Sequence, residues 1–285
     1  MIREFLNRKY GNYVTSALLD TNNQVWYGSK DKEDAQIEVI NHLKNLTNSK
    51  NEKLIPTTFL ENNNVKWGLD FSSWFGEFKT AEKEYFFIGA EPHIEKNFQL
   101  VYDFGSFSYD LDESSKYYLS EKSHIWHDLI NIFVEDSTKT DDITNFLQKC
   151  YITDLCHFVP QNCGQVQKIC KILSIKKGDW DKLRKEVAIE FLHEEISIVQ
   201  PKYIFLHGNS SRNFFQQHLN ETEYLIDSQS GFKIIEGKIN IKGKDYKIIS
   251  LPHLKGEMTN KLWRCKIYPE RPKRAKEIIK QLVKE

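Results

Sequence analysis

Tyr85-Phe86-Phe87-Ile88-Gly89-Ala90-Glu91-Pro92-His93 is the stretch on which the fold reading turns. Its first four residues form an apolar run that reads as a buried strand, and the Gly-x-acid-Pro turn after them punctuates its end. Such a turn holds the Glu91 carboxylate at the C-terminal edge of a sheet. In open α/β sheets that edge is where ligands bind.

The same pattern recurs three more times. Cys150–Leu155, Tyr203–His207 and Lys247–Leu251 are short apolar runs, each followed by a polar group near Gly or Pro. Helical periodicity fills the intervals, at about 123–135, 141–149, 179–199 and 211–219, and a charged helix over 272–284 follows the last strand. Strands alternating with helices predict an α/β fold: a three-layer α/β/α sandwich around a central four-stranded, mainly parallel sheet. Phe232–Ile241, interrupted by Gly237 and followed by Gly243, reads as a small hairpin inserted before the last strand. Residues 1–80 carry one clear amphipathic helix, at about 34–46, and are expected to be an N-terminal extension packed on a core of residues 81–285.

Composition narrows the function classes. The 285 residues include 40 Lys plus Arg and 40 Asp plus Glu, so any nucleic-acid affinity must come from a local patch rather than from net charge. Five Cys without regular pairing, and no 18-residue apolar run, predict a cytoplasmic protein with no membrane segment. A monomer is expected.

In a parallel sheet the four strand ends converge on one edge. That places Glu91, Asp154, His207 or Asn209, and His253 near one another. An acid and a histidine from distant strands suit water activation and leaving-group stabilisation.

Here the chain resembles the uracil-DNA glycosylase superfamily, from about Tyr85 to Trp263, through the order of its motifs. Gly89-Ala90-Glu91-Pro92 is similar to the family's first motif, Gly-x-Asp/Asn-Pro. Pro252-His253-Leu254-Lys255-Gly256 is similar to its last, a His or Asn followed by a loop that wedges into the duplex. In the best-known branch a stacking aromatic lies thirteen residues past the first-motif acid, a spacing that falls on Phe104. The family's base-reading Asn on its second strand corresponds to Asp154.

The resemblance implies a monofunctional DNA glycosylase that hydrolyses the N-glycosidic bond of a flipped uracil-like or modified base, acting without a cofactor on duplex or single-stranded DNA. Glu91 would direct water at the sugar, and His253 would stabilise the departing base. Gly89, Ala90, Pro92, Phe104, Asp154 and Asn209 would form the substrate-binding set. Leu254 or Met258 would fill the vacated stack, and Lys255, Lys261 and Arg264 would contact phosphates. Two departures stand out. Glu91 is one methylene longer than the usual acid or amide, and Asp154 replaces an amide. An ionised carboxylate only accepts hydrogen bonds, so it repels uracil O4 and favours a base presenting an amine, such as a cytosine-derived one. The competing expectation is a catalytically inactive member that binds DNA or a nucleotide with the same fold.

Each residue also has a plainer reading. Glu91 can cap a following helix, Asp154 can belong to a buried network, and Phe104 can be core. His93, His157 and His207 are expected to be structural. Cys156, Cys163 and Cys170 recur every seven residues without iron–sulfur or zinc spacing, and free thiols are the expectation, with no metal.

Overall fold

The computed structural model describes residues 2–20, 31–62, 65–69, 72–75, 83–89, 108–109, 130–161, 166–219, 222–228, 231–252 and 270–284. In chain order the elements begin with helices α1 (Ile2–Tyr10), α2 (Asn12–Asp20), α3 (Asp31–Asn45) and α4 (Thr57–Leu60). Strands β1 (Lys66–Leu69), β2 (Ser73–Phe75), β3 (Tyr85–Gly89) and β4 (Ser108–Tyr109) follow. After them come α5 (Thr140–Gln148), β5 (Cys150–Asp154), β6 (Phe158–Gln161), α6 (Val166–Leu173) and α7 (Lys177–Val199). The chain ends with β7 (Tyr203–His207), α8 (Asn209–Phe214), β8 (Thr222–Asp227), β9 (Phe232–Ile241), β10 (Lys244–Leu251) and α9 (Glu270–Leu282).

The chain divides into two compact units. The first comprises Met1–Ser73, Glu91–Ser108 and Thr153–Ile198; the second comprises Trp74–Ala90, Tyr109–Ile152 and Val199–Glu285.

The first unit is mainly helical. Helix α1 buries Phe5, Leu6, Lys9 and Tyr10, one face of the helix at i, i+1, i+4 and i+5. Helix α3 adds Val39 and Leu43, and α7 adds Trp180, Leu183, Val187 and Phe191. A two-stranded antiparallel ribbon, β1 with β6, brings Trp67 within 5.9 Å of Phe158 and 6.3 Å of Trp180, ring centre to ring centre. Full burial of aromatics of this size contributes on the order of 2–3 kcal/mol each.

The second unit carries the sheet, in the order β4-β2-β5-β3-β7-β10-β9-β8. Its middle four strands, β5-β3-β7-β10, are the four apolar runs. Strands β3, β7 and β10 pair in parallel; β10, β9 and β8 pair antiparallel. The alternation along β3 and β7 explains why their sequences are continuously apolar. Phe87 and Phe205 face one side, stacked at 5.1 Å, together with Ile249 and Leu251, and are covered by Ile143, Phe146 and Leu147 of α5 and by Ala275, Ile278, Ile279 and Leu282 of α9. Phe86, Ile88, Ile204, Leu206 and Ile248 are equally buried and point the other way, with Phe86 against Tyr151 at 5.0 Å. The fold is thus the expected α/β sandwich.

Two expectations are corrected. Among the described residues the sheet has eight strands rather than four. The outer ones are short, as in β2 and β4, or half-exposed, as in β8, and so lack the continuous apolar run that marks a strand buried on both faces. Phe232–Ile241 is one unbroken ten-residue strand, and the reversal lies after it, at Lys242 (φ 52°) and Gly243 (φ 82°). Gly237 does not end the strand. Its absent Cβ makes room for the carbonyl of His218, which would lie 1.8 Å from a Cβ at that position. The basic C-terminal helix is docked through an apolar stripe, and Arg271 pairs with Asp227 of β8.

Candidate active site

Gly89, Asp154, His207 and Leu251 are the last residues of β3, β5, β7 and β10. In the register of the parallel strands Ile88 lies opposite Leu206, Leu206 opposite Ser250, and His207 opposite Leu251. Gly89, His207 and Leu251 therefore stop abreast at one edge. With neighbouring strands about 4.8 Å apart, Gly89 and Leu251 end roughly 10 Å from each other with His207 between them.

The turn after β7 is specified locally. Gly208 takes φ 89° and ψ 170°, a conformation that side-chain-bearing residues rarely adopt. The Ser211 hydroxyl lies 2.8 Å from the His207 carbonyl and 3.1 Å from that of Gly208, either of which can accept its proton. Asn209 opens α8, which packs against β3 and β7; its side chain lies outside the described residues. On β5 the alternation is equally clear: Thr153 is buried and Asp154 half-buried, on opposite sides of the strand. Strand β5 neighbours β3 in the sheet order.

The remaining expected site residues lie outside the described residues. These are Ala90, Glu91 and Pro92 beyond β3, Phe104, and the segment after Pro252 that holds His253, Leu254, Lys255, Met258, Lys261 and Arg264. The structure thus describes the strand ends from which the first and last of these segments depart.

His157 is buried, edge-on to Tyr10 and Phe191, and burial together with the charge of Lys9 holds its pKa well below the usual histidine value. It is a neutral packing residue. Cys150 and Cys156 are buried thiols that donate to the carbonyls of Phe146 and Phe158. Lys83 precedes β3 at the opposite end from Gly89. Its ammonium donates to the carbonyls of Phe75 and Gln148 beside the Trp74 ring, and burial lowers its pKa to about 8.

Among the described residues the most concentrated buried polar cluster centres on Lys9 and Glu195, away from the strand-end motifs. Lys9 of α1 spends all three ammonium protons on buried oxygens: Glu195 of α7 at 2.9 Å, Ser72 at 2.9 Å and Thr153 at 3.2 Å. Ser72 donates in turn to Glu195 at 2.6 Å, and its N–H donates to the Tyr10 hydroxyl at 2.9 Å. Desolvation opposes the charge on Lys9, but Glu195 and Tyr10 outweigh it and raise its pKa, so Lys9 stays protonated. A signal was present: Lys9 sits within the buried face of α1, and Glu195 beside Leu192 and Ile196 within that of α7. Charges placed inside apolar stripes call for partners.

The uracil DNA glycosylase superfamily model matches residues 75–283, nearly three-quarters of the chain. The chain belongs to the uracil-DNA glycosylase superfamily. The superfamily region includes all four central strands and the segments that follow them. Of the buried cluster, Thr153 and Glu195 fall inside the superfamily region, and Lys9, Tyr10 and Ser72 precede it. None of the curated proteins compared with the chain matches it.

Proposed function

We propose that the protein is a DNA glycosylase that hydrolyses the bond between a deoxyribose and a flipped, cytosine-like or otherwise modified base. The observation that supports this most is the common stopping level of β3, β7 and β10 inside a superfamily match. Glu91 lies two residues past the end of β3 and His253 two past the end of β10. The two strand ends lie roughly 10 Å apart, a span that fits a nucleotide.

In this reading a nucleotide leaves the stack at a cost of a few kcal/mol and enters the pocket. Glu91 accepts a proton from water as the water oxygen bonds to C1′. The C1′–N bond breaks, its electron pair leaves with the base, and His253 stabilises the resulting anion. Phe104 stacks the base, and Asp154 accepts from an exocyclic amine while repelling a carbonyl in its place. Gly89, Ala90, Pro92 and Asn209 shape the backbone around the base. Leu254 or Met258 fills the vacated stack, and Lys255, Lys261 and Arg264 neutralise phosphates. Every step is assigned to side chains of this protein and to water, without a cofactor.

Abasic-site formation on duplexes carrying uracil or one of several modified cytosines tests the reading, with Glu91→Gln as control. The glycosylase reading expects turnover by the wild type and a large loss in the variant with DNA binding retained. A protein that binds these duplexes but never releases a base is instead an inactive binder, a reading favoured by the extra methylene of Glu91. Release from free nucleosides as fast as from duplexes would mark a nucleoside hydrolase.

A further inference from the structure

We propose that the N-terminal helix α1 is a positioning element for base reading. Through Lys9, Ser72 and Glu195 it fixes Thr153, and so holds the carboxylate of Asp154 on the other side of the same strand end. The inference rests on the assignment of base reading to Asp154 and goes beyond it.

Three observations carry it. First, the cluster closes on Thr153. Its hydroxyl accepts a hydrogen bond from Lys9 at 3.2 Å and lies 3.3 Å from Glu195, so the last turn of α1 and the C-terminal part of α7 both grip the strand end. Thr153 and Asp154 are adjacent and alternate across β5, which makes the side chain of one the anchor for the direction of the other. Second, the cluster is fully buried: the side chains of Lys9 and Glu195 are each 2% exposed, and Ser72, Thr153 and Tyr10 are no more than 3% exposed. A buried ion pair adds little net stability over apolar packing of equal volume. What it adds is direction, because each of the three Lys9 protons must meet its own oxygen. Third, Lys9, Tyr10 and Ser72 precede the superfamily region, whereas Thr153 and Glu195 lie within it. The N-terminal segment thus reaches the one strand end whose reading residue departs from the superfamily amide.

The experiment uses full-length protein and duplexes carrying a single 2′-fluoroarabino-cytidine or 2′-fluoroarabino-uridine. The fluorine blocks hydrolysis, so the ratio of the two affinities reports base reading whether or not the protein turns over. The wild type is expected to prefer the cytidine duplex at least 10-fold, and Asp154→Asn to abolish that preference. Thr153→Val keeps the shape of the side chain, and Ser72→Ala is nearly as mild; each is expected to bring the ratio to threefold or less. In the Asp154→Asn background neither should change the ratio further. Lys9→Met combined with Glu195→Leu should behave in the same way without exposing an unpaired charge. Variants that melt earlier yet keep the wild-type ratio would reduce the cluster to a structural role and overturn the inference. A wild type with no preference would overturn it too. Preference without turnover on the natural nucleotides sinks only the glycosylase reading.

Discussion

In the proposed mechanism Glu91, one methylene longer than the usual acid or amide of the superfamily motif, takes the water proton. Glu91→Gln is therefore expected to lower single-turnover base release by roughly 10²–10⁴-fold. The affinity for the same duplex should stay within about twofold, measured by fluorescence anisotropy. Gly237 gives an independent check of the structure. A methyl at this position meets the His218 carbonyl at 1.8 Å, and backbone on both sides must shift to admit it. Gly237→Ala should therefore cost on the order of 1–3 kcal/mol in urea unfolding, while Gly243→Asn in the exposed turn should cost far less, since Asn tolerates positive φ.

At the level of elements, α9 is held to the sheet by more than its apolar stripe. Arg271 is buried, pairs with Asp227 of β8 and lies 5.4 Å from the centre of the Phe232 ring. Arg271→Ala removes the buried cation of this pair and should destabilise by about 3–5 kcal/mol, readable as a lowered urea midpoint. Lys83 supplies a pH signature. Its pKa is about 8 in the folded protein against an ordinary 10.5. Below 8 it is protonated in both states, and above 10.5 it is neutral in both. Between these values the unfolded chain holds more protons, so the contribution of Lys83 to stability rises with pH. The stability difference between wild type and Lys83→Met should shift in favour of the wild type between pH 8 and 10.5. A flat difference across that window contradicts the burial of the ammonium.

These elements also mark what the sequence made legible. The four central strands were readable because strands buried on both faces must be apolar throughout, as Phe86, Phe87 and Ile88 are. Their convergence at one edge followed from the alternation of strands and helices. Strand β9 was misread at Gly237 because that glycine answers to a carbonyl from a distant turn, and nothing local records the contact. Helix α1 went unread because two of its four buried side chains, Lys9 and Tyr10, look like surface residues until Glu195 and Ser72 are placed against them. The strand ends were legible in the sequence. The buried cluster that closes on Thr153 was not.

On the scale of the whole molecule, charge and topology point in complementary directions. With 40 basic and 40 acidic residues there is no net field to draw DNA in, so any DNA binding must come from a local group of cations. If Lys255, Lys261 and Arg264 each neutralise a phosphate, log K should fall with log salt at a slope of about −2 to −3, and Lys255→Ala should reduce that slope by about 1. Among the described residues no helix is long and apolar enough to cross a membrane. The superfamily region accounts for residues 75–283, and the buried cluster gives residues before it a part in the same β5 end. The most direct test of the central claim is base release itself. Purified full-length protein is incubated with end-labelled duplexes bearing uracil or modified cytosines, and abasic sites are revealed by alkaline strand cleavage. Cleavage at a modified cytosine faster than at uracil, and lost in Glu91→Gln, is the predicted result; no cleavage at any base, or cleavage undiminished in Glu91→Gln, would contradict the account.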